Sequence, residues 1–180
     1  MNYATIKKND IANGPGVRVS LFVSGCRHRC PGCFNQEAWD FAYGAPYTDA
    51  VEKEILDASD KEHISGLSFL GGEPFETENR DTLAALAAVF KRRFPKKSVW
   101  CYSGFTFEEL YADEGARPLL SALDVLVDGR FVMAKKDLSL LFRGSSNQRI
   151  LDVRSSLEKG EAVWLAGKWE RRVGSGNINE

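Results

Sequence analysis

The chain has no long apolar run. Its longest, such as Leu67–Leu70, fall far short of the roughly 18 residues that a membrane span requires. It also has no charge of one sign to spare: 24 Lys+Arg stand against 25 Asp+Glu, a formal net charge of −1. General nucleic-acid and membrane-surface binders draw their affinity from a large basic excess, so neither kind of partner is expected. Met1–Asp10 contain neither the apolar stretch nor the cleavage site of a signal peptide, which leads us to expect a cytoplasmic protein. No Pro/Gly/Ser-rich linker and no internal repeat divides the chain. At 180 residues it has room for one domain of the usual size, about 150 residues. Four cysteines are too few for a secreted disulfide framework, which would be denser and carried on a shorter chain. With 11 Phe, 5 Tyr and 4 Trp available for a core, disorder is excluded as well.

What is present alternates. Val17–Val23 is β-branched and aromatic and reads as a strand running directly into Ser24-Gly25 and a group of cysteines. Thr48 is placed to cap a helix over Asp49–Ala58, with Val51, Ile55 and Leu56 on one face and acids in its first turn. Leu67–Leu70 predicts a buried strand ending at Gly71-Gly72. Leu83, Leu86, Ala87 and Phe90 recur at helical spacing, predicting a helix over Asp81–Phe94 that stops at Pro95. Ser98–Tyr102 reads as the next strand. Thr106 to Glu109 and Ser155 to Glu158 both have capping-box spacing, and Asp124–Val127 and Gln148–Val153 read as further strands. Strand–helix alternation of this kind marks an α/β fold with a parallel sheet and crossover helices. In such folds ligands gather at the C-terminal ends of the strands. The cysteine loop and Gly71-Gly72-Glu73-Pro74 both follow predicted strands, so they are expected to face one another there.

The cysteines are unevenly placed. Cys26, Cys30 and Cys33 lie within eight residues and Cys101 stands alone. Clustered cysteines in a reducing compartment are more often metal ligands or redox groups than disulfides. A zinc knob would need a fourth ligand, and only His28 or Cys101 offers itself. His28, between the first two cysteines, would reach the same ion under strain. Cys101 sits mid-strand between Trp100 and Tyr102, as a small core residue does. An iron–sulfur cubane has four irons, each with one outer ligand, so three cysteines leave one iron open to a substrate.

Cys26-x3-Cys30-x2-Cys33 after a strand, followed directly by Phe34, resembles the radical S-adenosylmethionine superfamily, and Gly71-Gly72-Glu73-Pro74 resembles its second motif. Four further segments narrow the resemblance: Asn13-Gly-Pro-Gly-Val-Arg18, Phe22-Val-Ser-Gly-Cys26, Asp124 through Val132, and Phe142-Arg-Gly-Ser-Ser-Asn-Gln148. Taken in order from about Tyr3 to Val153, they are similar to activators of glycyl-radical ribonucleotide reductases. The resemblance implies a single-domain partial (β/α) barrel over residues 1–153, followed by an extension over 154–180 of open role. It implies one 4Fe–4S cluster on Cys26, Cys30 and Cys33, with S-adenosylmethionine held at Gly32, Cys33, Phe34, Gly71, Gly72 and Glu73. It also implies reductive cleavage of that cofactor and a glycyl radical left on anaerobic ribonucleoside-triphosphate reductase, with a flavodoxin-like protein as one kind of electron donor. No side-chain acid, base or nucleophile is required, and the sequence offers no convincing triad. No second cysteine cluster is present, which favours a small reductase activator over larger relatives with ferredoxin-like inserts. An activator of another glycyl-radical enzyme, of the pyruvate formate-lyase type, and a non-catalytic iron–sulfur or zinc module remain as alternatives.

Other residues admit plainer readings. Phe34 packs on the adenine ring or fills the core, and Glu73 contacts the cofactor or caps the next segment. Gly32 gives backbone access or is part of an ordinary Pro-Gly turn. Asp128 and Arg130 are candidates for pocket or partner contacts, and Arg143, Ser145, Ser146 and Asn147 for the pocket. Lys91–Lys97 holds five cations at a helix C-terminus, which the helix dipole favours. His63 is given no catalytic role. Val163-Trp-Leu and Lys168–Arg172 match nothing in the family.

Overall fold

The computed structural model describes residues 1–166; Lys168–Arg172 and the tail from Gly174 lie outside them. In chain order the elements are β1 (Asn2–Asp10), β2 (Val17–Val23), β3 (Ala45–Pro46), α1 (Asp49–Ser59), β4 (Ile64–Gly71), α2 (Thr77–Arg93), β5 (Ser98–Tyr102), α3 (Phe107–Ala112), α4 (Arg117–Ala122), β6 (Val125–Asp128), β7 (Arg149–Asp152) and α5 (Val153–Lys159). They build one open sheet in the order β3-β1-β2-β4-β5-β6-β7. The four central strands β2, β4, β5 and β6 run parallel, joined by helical crossovers, as the alternation predicts. The flanks do not: β1 and β3 on one side and β7 on the other pair antiparallel. The result is a partial barrel with an incompletely parallel sheet. Among the described residues no helix is long and apolar enough to cross a membrane.

Local chemistry sets most boundaries. Thr48 accepts a bond from the Val51 N–H and starts α1, and Thr106 and Glu109 form the reciprocal capping box of α3. α2 starts at Thr77, a turn ahead of Asp81, because its first turn is tied down rather than apolar: buried Asn79 donates to Ser24 O at 3.0 Å and Glu73 O at 2.9 Å. Ser155 is not a cap. Asp152 takes that place, accepting from the Ser155 N–H at 2.7 Å, and Ser155 lies inside α5. Cations in the last turn of α2 and just beyond it are bound rather than merely solvated: Lys91 pairs with Asp124 at 2.6 Å, and Lys97 donates to Ser59 O and Lys61 O.

Strand alternation sends side chains to two different places. On the outer face Leu21, Leu67, Phe69, Val99, Cys101 and Leu126 pack under the helices, against residues such as Leu86 and Phe90, in the main core. On the inner face Trp100, Val125, Val127 and Ile150 form a second, smaller cluster with Tyr102 and Phe142. Beside it Arg18 lies fully buried. Its guanidinium donates to Ser68 Oγ (2.7 Å), Ser98 Oγ (3.1 Å), Leu67 O and Ser98 O (both 2.8 Å), and lies 5.6 Å from the Trp100 ring. Burial lowers its pKa to about 10, so the charge persists at neutral pH. The Asn13–Gly16 turn folds over this group, with Ser68 Oγ donating to Asn13 O at 2.7 Å. The lower half of the inner face is thereby filled, and only the upper half, at the C-terminal strand ends, stays open.

Candidate functional site

The loop after β2 is held at its root by backbone bonds. Gly25 N–H donates to Ala38 O (2.8 Å) and Cys26 N–H to Trp39 O (3.2 Å), both from the short 3₁₀ turn Gln36–Trp39. A second pair joins it to the turn after β4: Gly72 N–H donates to Val23 O (2.7 Å) and Glu73 N–H to Gly25 O (2.8 Å). The cysteine loop and the Gly-Gly-Glu turn therefore meet, as their positions after parallel strands predict. Between them and the ends of β5 and β6 lies a cavity of about 510 Å³, lined by Cys26, Cys30 and Cys33, by Gly71, Gly72 and Tyr102, and by neighbours named below.

Backbone must approach closely here. Gly71 has φ +109°, and a Cβ on Gly72 would lie 2.5 Å from Gly25 O, so any side chain would force the two loops apart. The cysteines are free and half-buried. Burial pushes the Cys26 thiol up to about 11 and raises that of Cys30 as well. Binding a metal as thiolates therefore means giving up protons that the metal-free loop retains. Asn35 N–H already points at Cys33 Sγ at 3.4 Å, the kind of donor that stabilises a ligating sulfur.

This donor set fits a cubane better than a single ion. Each cubane ligand takes a separate iron, so three cysteines along one loop serve three of the four irons, whereas a structural zinc ion needs a fourth protein ligand. Neither proposed fourth zinc ligand is placed for it. Cys101 is fully buried in the outer core, on the face of β5 away from the cavity. His28 Nε2 lies 3.1 Å from Glu73 Oε2.

The other expected residues divide. Gly32 and Phe34 line the cavity, and Phe34 is 85% exposed, which eliminates a core role for it. Glu73 borders the cavity but is buried and bonded: Oε1 accepts from Ser103 Oγ (2.8 Å) and Phe75 N–H (3.0 Å), and Oε2 from Gly104 N–H (2.7 Å). Asp128 is not a pocket or partner contact. It is buried, accepting from Phe107 N–H at 2.7 Å and pairing with Arg149 at 2.5 Å. Arg130 does not line the cavity either. Of the four polar residues near 145, only Arg143 does. Ser145 is fully buried and accepts from Val132 N–H, Asn147 donates to Arg130 O, and Ser146 is exposed. His63 lies beside Asn9, away from the site.

Sequence reasoning missed Tyr102 and the structural part of His28. Tyr102 Oη is buried at the cavity with no hydrogen-bond partner among the described residues, and burial raises the phenol pKa. Strand alternation from inward-facing Trp100 was the signal that could have found it.

Comparison with known proteins addresses the same region. Residues 12–151 match a family described as a 4Fe-4S single cluster domain. An anaerobic ribonucleoside-triphosphate reductase-activating protein from Pasteurella multocida (strain Pm70) is 41% identical over 152 residues, 83% of this chain and 96% of the relative. The chain belongs to the anaerobic ribonucleoside-triphosphate reductase-activating protein family. Members from Escherichia coli (strain K12), 40% identical over 86% of this chain and 100% of the relative, and from Enterobacteria phage T4, 40% identical over 83% and 93%, agree. The match to the cluster family spans both loops that frame the cavity.

Proposed function

We propose that this chain is a radical S-adenosylmethionine activase acting on anaerobic ribonucleoside-triphosphate reductase. Cys26, Cys30 and Cys33 hold a 4Fe–4S cluster, and S-adenosylmethionine lies in the cavity beside it. The observation that carries the reading is the placement of three free cysteines on one wall of a cavity whose other wall is a side-chain-free Gly-Gly turn. When bound, the cluster supplies the one-electron chemistry that breaks the cofactor's sulfur–carbon bond and leads to a glycyl radical on the reductase.

The protein's own residues hold and shield. Gly71 and Gly72 let backbone groups reach the methionyl end of the cofactor, and Glu73 fixes their turn. Gly32 gives similar access beside Cys33. Phe34 offers an exposed ring face for the adenine. Arg143 brings a cation to the cavity wall. No proton-transfer residue is needed. A flavodoxin-like protein is a suitable electron donor, and a cytoplasmic, anaerobic setting suits a cluster with one open iron.

The test is anaerobic reconstitution. Iron and sulfide in about equal amounts, with methionine and 5′-deoxyadenosine formed on reduction, are the expected result. Bound zinc without those products overturns the reading. Incubation with the reductase and, separately, with a pyruvate formate-lyase, followed by electron paramagnetic resonance (EPR), identifies the target: the glycyl signal is expected on the reductase.

A further inference from the structure

His28 is placed unlike its neighbours. Arg27 and Arg29 extend outward, while the His28 side chain, 5% exposed, turns into the cavity wall between Cys26 and Cys30. It meets two other loops there. Nε2 lies 3.1 Å from Glu73 Oε2 in the turn after β4. The ring stands edge-on to Phe105, centroids 4.4 Å apart, in the loop after β5. That loop leaves room only because residue 104 is glycine, where a Cβ would lie 2.4 Å from His28 Cδ2. Glu73 is itself immobilised by Ser103, Gly104 and Phe75.

Stability alone gives no reason for an imidazole here. Nε2 lies off the hydrogen-bonding direction to Glu73, so the ring buries a polar nitrogen without a matching hydrogen bond. An apolar side chain of similar size would fill the space with no such penalty. What the imidazole adds is a polar contact to Glu73, which links the cysteine loop to the Gly-Gly-Glu turn independently of any metal.

We propose that His28 is a positioning residue: through Glu73 it sets the cysteine loop against the Gly71-Gly72 turn, and so fixes how S-adenosylmethionine meets the cluster. The proposal rests on the reading of the cavity given above. It is tested with His28→Leu and His28→Gln, reconstituted anaerobically beside the parent. Iron content, thermal midpoint and S-adenosylmethionine affinity are measured, the last from the change that the cofactor produces in the EPR spectrum of the reduced cluster. All three proteins are expected to carry equal iron. H28L should melt no lower than the parent yet bind S-adenosylmethionine at least tenfold more weakly. H28Q, whose amide can reach Glu73, should recover most of that loss. Parent-like affinity and spectrum in H28L overturn the proposal. So does an equal fall in iron content and thermal midpoint in both variants, the pattern of a residue that only supports the fold. A parent that shows no spectral response to S-adenosylmethionine defeats the functional reading itself, and that result differs from either.

Discussion

The two halves of the sheet's inner face are built on opposite terms. At the lower end Arg18 is buried with hydrogen bonds to serine hydroxyls and backbone carbonyls, and the Asn13–Gly16 turn closes over it. At the upper end the same face holds His28 Nε2 and Tyr102 Oη, neither with a hydrogen-bond partner among the described residues, and half-buried thiols facing a cavity. The lower end holds a satisfied charge, and the upper end leaves Tyr102 Oη and the thiols open toward the cavity. Stability and function are thus separated along a single set of strands. Two of the groups that look like defects when counted one by one, His28 Nε2 and Tyr102 Oη, fall at the end where a ligand belongs.

The sharpest way to break this separation is at the cysteines. Replacing Cys26, Cys30 or Cys33 with Ala should abolish cluster binding and 5′-deoxyadenosine formation, while the urea midpoint of the metal-free protein stays close to that of the parent. A large drop in that midpoint would mean that the upper end also supports the fold. Arg18→Met should do the reverse. Removing the guanidinium takes the donor from Leu67 O, Ser98 O and two serine hydroxyls around a buried site, at a cost of about 3–5 kcal/mol in urea unfolding. Gly66→Ala probes the same floor, because its Cβ would lie 2.1 Å from Ser98 O and 2.6 Å from the Arg18 guanidinium; a loss of about 1–3 kcal/mol is expected. Cys101→Ala, in the outer core, should cost about 1 kcal/mol and leave iron content unchanged.

The smallest effect concerns pH. Hydrogen bonds from Arg27 hold the Glu78 carboxyl down to about 2, from an ordinary 4.5. A lowered carboxyl pKa contributes stability that is complete above 4.5 and lost as the pH falls toward 2. The pair is exposed, so Glu78→Gln should cost only a few tenths of a kcal/mol at pH 6, and the difference should shrink by pH 3. A gap that widens on acidification would contradict the assignment.

Much of the fold was legible where one physical signal dominated. β2 and β5 have the predicted bounds because β-branched and aromatic residues crowd them, and Thr48 and Thr106 cap where side-chain oxygens favour helix starts. β1 was not legible. Its polar sequence shows little apolar alternation, and its strand character comes from pairing with β2. α4 has only six residues, too few to display a period. At the site, spacing and glycine content revealed both loops. Which of several polar residues turns inward is decided by tertiary packing. Arg143 reaches the cavity while Ser145 is sealed away, Asp128 serves Arg149 and Phe107, and nothing local to Arg18 marks it as buried.

Cys101 faces the outer core, so the loop's three thiols have no fourth thiol within reach among the described residues. Three is an odd number. If air strips the iron, two of them can close on each other and the third is left single, with only another molecule's sulfur to take it. A covalent dimer that dissolves in reductant would therefore be the mark of a preparation that has lost its metal.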